Sequence, residues 1–224
     1  MEASGKDIVA LSTGPGFVCL DAMVPIHFNR VRCLEVLGDW FGPRVFTANV
    51  IMEQELRGAL GRHPENKAIL DSDWLLAVPV DEIEDIELVA SLRRRWGSRD
   101  DRDRGEAEVV ALCRRYGWTV IMDDDVGRQA AKEHGVSCVY MLTTMLAAAS
   151  CGLVTPPEAW KLHCSVERER RRAMLTAEEC HRPVFMKCIE HIARVGEKRG
   201  HRRWPEILAT KGLDDVVLWT RKNT

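Results

Sequence analysis

Short apolar stretches alternate with helix-patterned segments from residue 17 to about residue 152 of this 224-residue chain. The alternation predicts five strands, at residues 17–20, 44–47, 74–80, 118–122 and 136–140. Between them, apolar residues recur at the three- and four-residue spacing of helices. A strand, a helix and a further strand in succession form a βαβ unit, in which the strands are parallel and the helix covers the sheet. The sequence therefore predicts an α/β domain on a central parallel sheet.

Acidic residues follow several of these predicted strands. Asp21 comes directly after the first strand, and Asp123 and Asp124 follow the fourth. Glu53 and Glu106 each lie early in a predicted helix. Because ligands of parallel sheets bind outside the carboxyl ends of the strands, we expect these side chains to gather at one edge. Gathered carboxylates repel one another, and a hard divalent cation such as Mg²⁺ or Mn²⁺ neutralises them.

The helix that begins at Glu106 has an apolar face. Glu106 shares that face with Val109 and Cys113, whereas Glu108 lies about 200° around the helix and is expected to point outward. A carboxylate at the edge of an apolar face needs a polar or ionic partner. Helix N-termini also favour acids where no site exists, so a structural role as a cap or first-turn acid is the alternative for each of these residues.

The motifs around the acids resemble those of the PIN-domain nucleases. Residues 105–108, Gly-Glu-Ala-Glu, are similar to the GExE helix of one PIN subfamily, and residues 123–128 are similar to its DDxxxR turn. Residues 146–154 are similar to the last helix of that subfamily and its Gly-Leu-Ile ending. The resemblance covers about residues 15–165.

This resemblance implies a three-layer α/β/α sandwich that hydrolyses RNA, or flapped nucleic-acid structures, with one or two Mg²⁺ or Mn²⁺ ions. The catalytic acids that it implies are Asp21, Glu53, Glu106 and Asp124. The metal ligands that it implies are Asp21, Glu106, Asp124 and Asp123. Bacterial PIN proteins are commonly toxins, so the resemblance also implies an endoribonuclease toxin with an RNA substrate and a small antitoxin protein as partner.

Two other functions remain open from the sequence. One is a PIN-like fold that has lost catalysis and serves as a binding or regulatory module. The other is a receiver-like phosphoacceptor domain, which needs an aspartate pair after an early strand and a lysine late in the domain. Here the aspartates follow the fourth predicted strand and no strand-end lysine comes after them, so the phosphoacceptor domain ranks last.

Arg128 and the residues at the end of the fifth predicted strand raise separate questions. Arg128 lies one turn into the helix after the aspartates, where it either pairs with Asp124 or binds a phosphate group. Tyr140 and Met141 stand where the PIN subfamily has Gly-Thr, and residues 47–48 lack its usual proline. Both departures concern the number of metal ions and the activity more than the fold.

The composition is that of a globular protein, with 46% hydrophobic and 29% charged residues and a net charge of −2. This charge disfavours a uniformly basic nucleic-acid-binding protein. The eight cysteines contain no CxxC pair and are expected to be reduced thiols. The sequence contains no secretory signal pattern and no apolar run of roughly 20 residues. We therefore expect a cytoplasmic protein without membrane contact, and the sequence leaves the oligomeric state, a homodimer included, open.

The pattern changes after residue 155. We expect a lead-in at residues 1–16, the PIN-like domain at residues 17–155 and a mainly helical extension at residues 156–224. The extension carries an arginine-rich face that either contacts RNA phosphates or stays solvated. Its arginines are Arg168, Arg170, Arg171 and Arg172. Cysteines and histidines within residues 163–191 make zinc a weaker alternative, because their spacing matches no usual zinc module.

Overall fold

The computed structural model describes residues 16–30, 32–42, 45–99 and 102–141. It also describes seven single positions, which are residues 144, 145, 149, 155, 159, 160 and 164. The predictions for the arginine-rich face and most of the zinc alternative therefore lie outside the described residues. Most of the motif at residues 146–154 does so too, and the proposed domain boundaries remain predictions.

Five parallel strands form the centre of the fold. They are β1 (Val18–Leu20), β2 (Val45–Ala48), β3 (Leu75–Val78), β4 (Thr119–Ile121) and β5 (Ser137–Val139). Their spatial order is β3-β2-β1-β4-β5, and every neighbouring pair is parallel. All residues of β1, β2 and β4 are buried, as is usual for strands that are covered on both faces. The predicted parallel sheet is confirmed.

Helices cover both faces of the sheet. They are α1 (Met23–Arg30), α2 (Leu34–Phe41), a π-helix (Ile51–Arg57), a 3₁₀-helix (Pro64–Asn66), α3 (Lys67–Leu70), α4 (Ile83–Trp96), α5 (Arg104–Tyr116) and α6 (Asp125–Glu133). The chain moves outward from β1 to β3 and then returns to the other side of β1. Because βαβ crossovers are right-handed, the helices before β3 cover one face and those after it cover the other. The result is the predicted α/β/α sandwich.

One predicted helix is divided in two. The apolar spacing of residues 22–37 predicts a single helix, but the backbone reverses at Arg32, where φ is +59°. An L-residue with this φ cannot continue a right-handed helix. The Cys33 N–H donates to the Phe28 carbonyl at 2.8 Å and ends α1 there. Phe28 and Leu37 are both fully buried, so the apolar spacing continues across the break although the helix does not.

Aromatic rings anchor the sheet. The Trp118 ring lies parallel to Phe46 with ring centroids 4.2 Å apart, and Tyr116 stacks on it at 4.6 Å. Trp118 is 1% exposed and therefore belongs to the core. At the β3 edge, the Trp74 ring packs on Gly38, where an added Cβ would lie 2.6 Å from Trp74 Cδ1. Any side chain at Gly38 would displace this ring.

The described cysteines are all free thiols, as the sequence predicts. They are Cys19, Cys33, Cys113, Cys138 and Cys164. Burial is the first cause that raises the pKa of Cys113, and a hydrogen bond with Cys19 raises it further. In the part of the chain that the structure describes, no helix has the length and apolar character needed to span a membrane.

Candidate functional site

The direction of the chain changes between β1 and β4. From β1 the chain moves to β2, whereas from β4 it moves away to β5. Ligands of such sheets bind in the crevice outside the carboxyl ends of the two strands at this switch point. Asp21 follows β1 directly, and its N–H donates to the carbonyl of Ile121, the last residue of β4, at 3.1 Å. Asp21 and residues 123–124 therefore border the same crevice.

Asp21 is the most deeply placed acid of this crevice, with 2% exposure. Its carboxylate accepts hydrogen bonds from the backbone N–H groups of Ala22 and Met23, at the start of α1. Even so, burial and the nearby charges of Glu106 and Glu55 raise the pKa of Asp21 well above its ordinary value of 3.8. The ionised form of Asp21 is therefore unfavourable unless a positive charge joins the group.

Glu106 and Asp124 also belong to this group. Desolvation is the first cause that raises the pKa of Glu106, and the charges of Asp103 and Asp124 raise it further. Asp124 is exposed and caps α6, because its Oδ2 accepts from the Gly127 N–H at 2.6 Å. Asp124 therefore has the structural role of an N-cap, which the sequence left open as an alternative. A carboxylate offers about four acceptor sites, so the cap leaves capacity for another ligand.

The structure does not bring Glu53 to the other acids. Both carboxylate oxygens of Glu53 accept from Arg57 Nη1, each at 2.7 Å. The Arg57 and Glu53 side chains are 57% and 44% exposed, so the pair lies in solvent and contributes little to stability. Contrary to the sequence prediction, Glu53 lies outside the acidic group in this structure.

Glu55 is the acid of this group that the sequence analysis missed. Its charge is one of the causes that raise the pKa of Asp21. The pKa of Glu55 itself is raised from 4.5 to about 7, first by desolvation and then by the charges of Glu106 and Glu108. Much of the residue remains accessible to solvent. Glu55 therefore lies at the mouth of the crevice, with its carboxyl group against Gly105.

Local helix geometry explains why this glutamate faces the site. Ile51–Arg57 is a π-helix, whose turns hold more residues than those of an α-helix. Ile51 and Leu56, five residues apart, are accordingly both fully buried. Gly105 lies against Glu55: an added Cβ would overlap Glu55 Oε1 and lie 2.9 Å from Ile51 Cγ1. The missing side chain of Gly105 provides the space that the Glu55 carboxylate occupies.

Glu108 is buried, contrary to the prediction that it points outward. Its exposure is 5%, and Arg104 Nε donates to its Oε1 at 2.8 Å. The backbone N–H of Val50 donates to the same carboxylate. Desolvation raises the pKa of Glu108, and these two hydrogen bonds oppose the rise. The prediction failed because α5 packs against α4 as well as against the sheet, so that both sides of the helix are covered. Glu108 connects α5 to the start of the π-helix.

Asp123 and Arg128 contact the residues that follow β5. Asp123 Oδ1 accepts from the Met141 N–H at 3.0 Å. Arg128 Nη1 lies 3.7 Å from Asp125 Oδ1, and Arg128 Cζ lies 3.0 Å from the centroid of the Tyr140 ring. Tyr140 and Met141 therefore both contact residues that follow β4.

The acids suit a hard cation in their chemistry. Carboxylate oxygens are the ligands that Mg²⁺ prefers, and a bound cation reverses the repulsion that raises the pKa values of Asp21, Glu55 and Glu106. Among the described residues, no three Asp, Glu, His or Cys side chains already converge as a metal site.

A family model described as a PIN domain matches residues 17–169, which is more than half of the chain. The chain belongs to the PIN-domain family. No curated protein matches it. Membership confirms the resemblance seen in the sequence and gives the protein a nuclease fold. PIN domains are generally nucleases and usually use divalent metal ions, which supports a hydrolase at a coarse level.

Proposed function

We propose that this PIN domain is a divalent-metal-dependent ribonuclease that hydrolyses RNA phosphodiester bonds. The observation that carries the proposal is the grouping of Asp21, Glu55 and Glu106 at the switch point of the sheet, each with a raised pKa. Like charges in a crevice repel a polyanion such as RNA. The same charges attract a divalent cation, and the cation can then coordinate the phosphate oxygens of RNA.

Each acid has a distinct place in this proposal. Asp21 would hold the cation from the centre, since β1 and the start of α1 fix its carboxylate. Glu106 would reach it from α5, and Glu55 and Asp124 from the mouth of the crevice. A bound Mg²⁺ or Mn²⁺ lowers the pKa of a bound water and stabilises the charge that develops on the phosphate. The protein then needs no nucleophilic side chain of its own.

The choice of RNA and the biological role rest on the similarity of residues 105–108 and 123–128 to the toxin-like PIN subfamily. In this proposal the protein is the toxin of a toxin–antitoxin pair, acts in the cytoplasm and is neutralised by a small antitoxin protein. Growth arrest on expression in bacterial cells, lost in the Asp21→Asn variant, is the expected result. Equal growth with the wild-type protein and the variant would contradict the toxin role.

Two observations favour a second candidate, a PIN fold that binds without cleaving. The Asp124 carboxylate already caps α6, and among the described residues no three acids converge as a metal site. Such a protein would bind RNA or a protein partner through the same crevice.

A cleavage assay separates the two candidates. Single-stranded and structured RNA would be incubated with the wild-type protein and Mn²⁺, Mg²⁺ or a chelator. We expect cleavage only with metal, and a loss of at least about tenfold in the Glu55→Gln variant. Glu53→Gln is the matched control, two residues away in the same π-helix, and should cleave like the wild type. A folded wild-type protein that cleaves no RNA with either metal would favour the binding module.

A further inference from the structure

We propose that Tyr140 and Arg128 are positioning residues that hold residues 123–125, and with them Asp124, in place at the acidic site. The proposal rests on the function proposed above. Arg128 is the last residue of the DDxxxR turn, whereas Tyr140 departs from the pattern of the PIN subfamily.

The stacked pair consists of the Arg128 guanidinium and the Tyr140 ring, with Cζ 3.0 Å from the ring centroid. The Arg128 side chain is 14% exposed and Tyr140 is 2% exposed. A guanidinium over an aromatic face is attracted by the ring quadrupole, and the attraction is strongest where water is excluded. The stack therefore fixes α6, which carries Arg128, on the residue that directly follows β5.

Contacts on both sides of Asp124 lead back to the end of β5. Before Asp124, the carboxylate of Asp123 accepts from the Met141 N–H at 3.0 Å. After it, the Asp125 carboxylate lies 3.7 Å from Arg128, which rests on Tyr140. Tyr140 and Met141, which follow β5, therefore hold the segment after β4 on both sides of Asp124. Met141 holds it through Asp123, and Tyr140 holds it through Arg128.

Asp124 needs this support because it is exposed and its own bonds are local. Its carboxylate bonds to Gly127 of the same helix, three residues away. When a ligand binds an exposed side chain, the residue loses conformational entropy, which weakens binding. The loss is smaller when the backbone of that residue is already fixed. Glycine at position 140, as in the PIN subfamily, has no ring on which Arg128 could stack. The tyrosine supplies the support that this chain uses instead.

The test compares Tyr140→Leu, which removes the ring face, with Tyr140→Phe, which keeps it. Arg128→Lys keeps the charge but removes the planar group. Arg95→Lys is the matched control, because Arg95 pairs with Glu133 of the same helix α6 through an exposed contact. Each variant is measured by Mn²⁺ titration calorimetry and by amide hydrogen exchange of the metal-free protein.

We expect Tyr140→Leu and Arg128→Lys to bind Mn²⁺ about tenfold more weakly, which is about 1.4 kcal/mol. Exchange should accelerate at residues 123–127 and stay unchanged in β1 and β2. Tyr140→Phe and Arg95→Lys should match the wild type in both measurements. Unchanged exchange at residues 123–127 in Tyr140→Leu and Arg128→Lys would overturn the proposal, and so would equal acceleration throughout the sheet.

The exchange measurement also separates this proposal from the proposed function. A wild-type protein that binds no Mn²⁺ contradicts the metal-dependent nuclease. Faster exchange confined to residues 123–127 would still show, in that same metal-free protein, that the stack holds the segment.

Discussion

Replacing Glu55 by glutamine should stabilise the metal-free protein, and the gain should depend on pH. The pKa of Glu55 is raised from 4.5 to about 7 in the folded protein. A group with a raised carboxyl pKa destabilises the fold wherever it is ionised, so the cost is absent below about pH 4.5, grows as pH rises, and is complete above about pH 7. Glutamine has nearly the same shape and cannot ionise.

The size of the effect follows from the pKa. Each pKa unit corresponds to about 1.36 kcal/mol, so the rise from 4.5 to about 7 sets an upper limit of about 3 kcal/mol. Glu55 remains accessible to solvent, which screens part of the repulsion and reduces the expected gain to about 1–2 kcal/mol. For a chain of this size, 1 kcal/mol shifts Tm by about 2–4 °C. We therefore expect Glu55→Gln to melt about 2–8 °C higher than the wild type at about pH 8.5.

Thermal unfolding with a chelator, at about pH 5 and about pH 8.5, measures this difference. Glu53→Gln is the control: it removes only an exposed pair with Arg57 and should change the stability by less than about 1 kcal/mol at either pH. With saturating Mn²⁺ the order should reverse, because metal binding stabilises the wild type more than Glu55→Gln. If Glu55→Gln gains nothing at high pH, or gains no more than Glu53→Gln, the argument from desolvation and repulsion is wrong.

Three further predictions concern the site and the extension. Gly105→Ala should displace the Glu55 carboxylate and weaken Mn²⁺ binding in calorimetry. Its thermal stability should fall, because the added Cβ meets not only the flexible end of Glu55 but also Cγ1 of the buried Ile51, at 2.9 Å. Asp21→Asn should raise the Tm of the metal-free protein near about pH 8, and the gain should shrink as pH falls, since the raised pKa of Asp21 makes its ionised form unfavourable; an equal gain at all pH values would contradict this. Replacing the four arginines of the arginine-rich face with serine should make RNA affinity, measured at two salt concentrations, less dependent on salt. A salt dependence identical to that of the wild type would exclude these arginines from the RNA contact. They are Arg168, Arg170, Arg171 and Arg172.

The sequence predicts the placement of Asp21 because it follows β1 directly, and that of Asp124 because it comes within three residues of the end of β4. In a parallel sheet the end of the strand fixes the position of the next residue, whatever the neighbouring helices do. Glu106 lies in the first turn of α5, a helix whose apolar face is evident from the spacing of its residues. These three positions depend on local patterns that a single sequence contains.

The choice between Glu53 and Glu55 depends on a feature that the apolar spacing does not show. The sequence was analysed with the α-helical period, whereas the structure has a π-helix over Ile51–Arg57. One signal was available, because Gly105 stands directly before Glu106 in a helix where alanine is otherwise favoured. A glycine in that place indicates that another group approaches closely, and here the group is the Glu55 carboxylate.

The burial of Glu108 could not be predicted from helix amphipathicity. An amphipathic pattern predicts one buried face, but α5 contacts both the sheet and α4. Arg104 lies four residues before Glu108, and its ion pair with Glu108 offsets the desolvation cost of burying the carboxylate. The i, i+4 pair was visible in the sequence, but such pairs are usually exposed.

Anomalous diffraction from a crystal soaked in Mn²⁺ tests the central claim most directly. The account predicts an anomalous peak in the crevice beyond β1 and β4, within coordination distance of Asp21 and Glu106, with Glu55 moved inward to join them. Glu53 should remain paired with Arg57, as it is without metal. A well-ordered crevice with no peak at saturating Mn²⁺, or a peak coordinated by Glu53 in place of Glu55, would contradict the account.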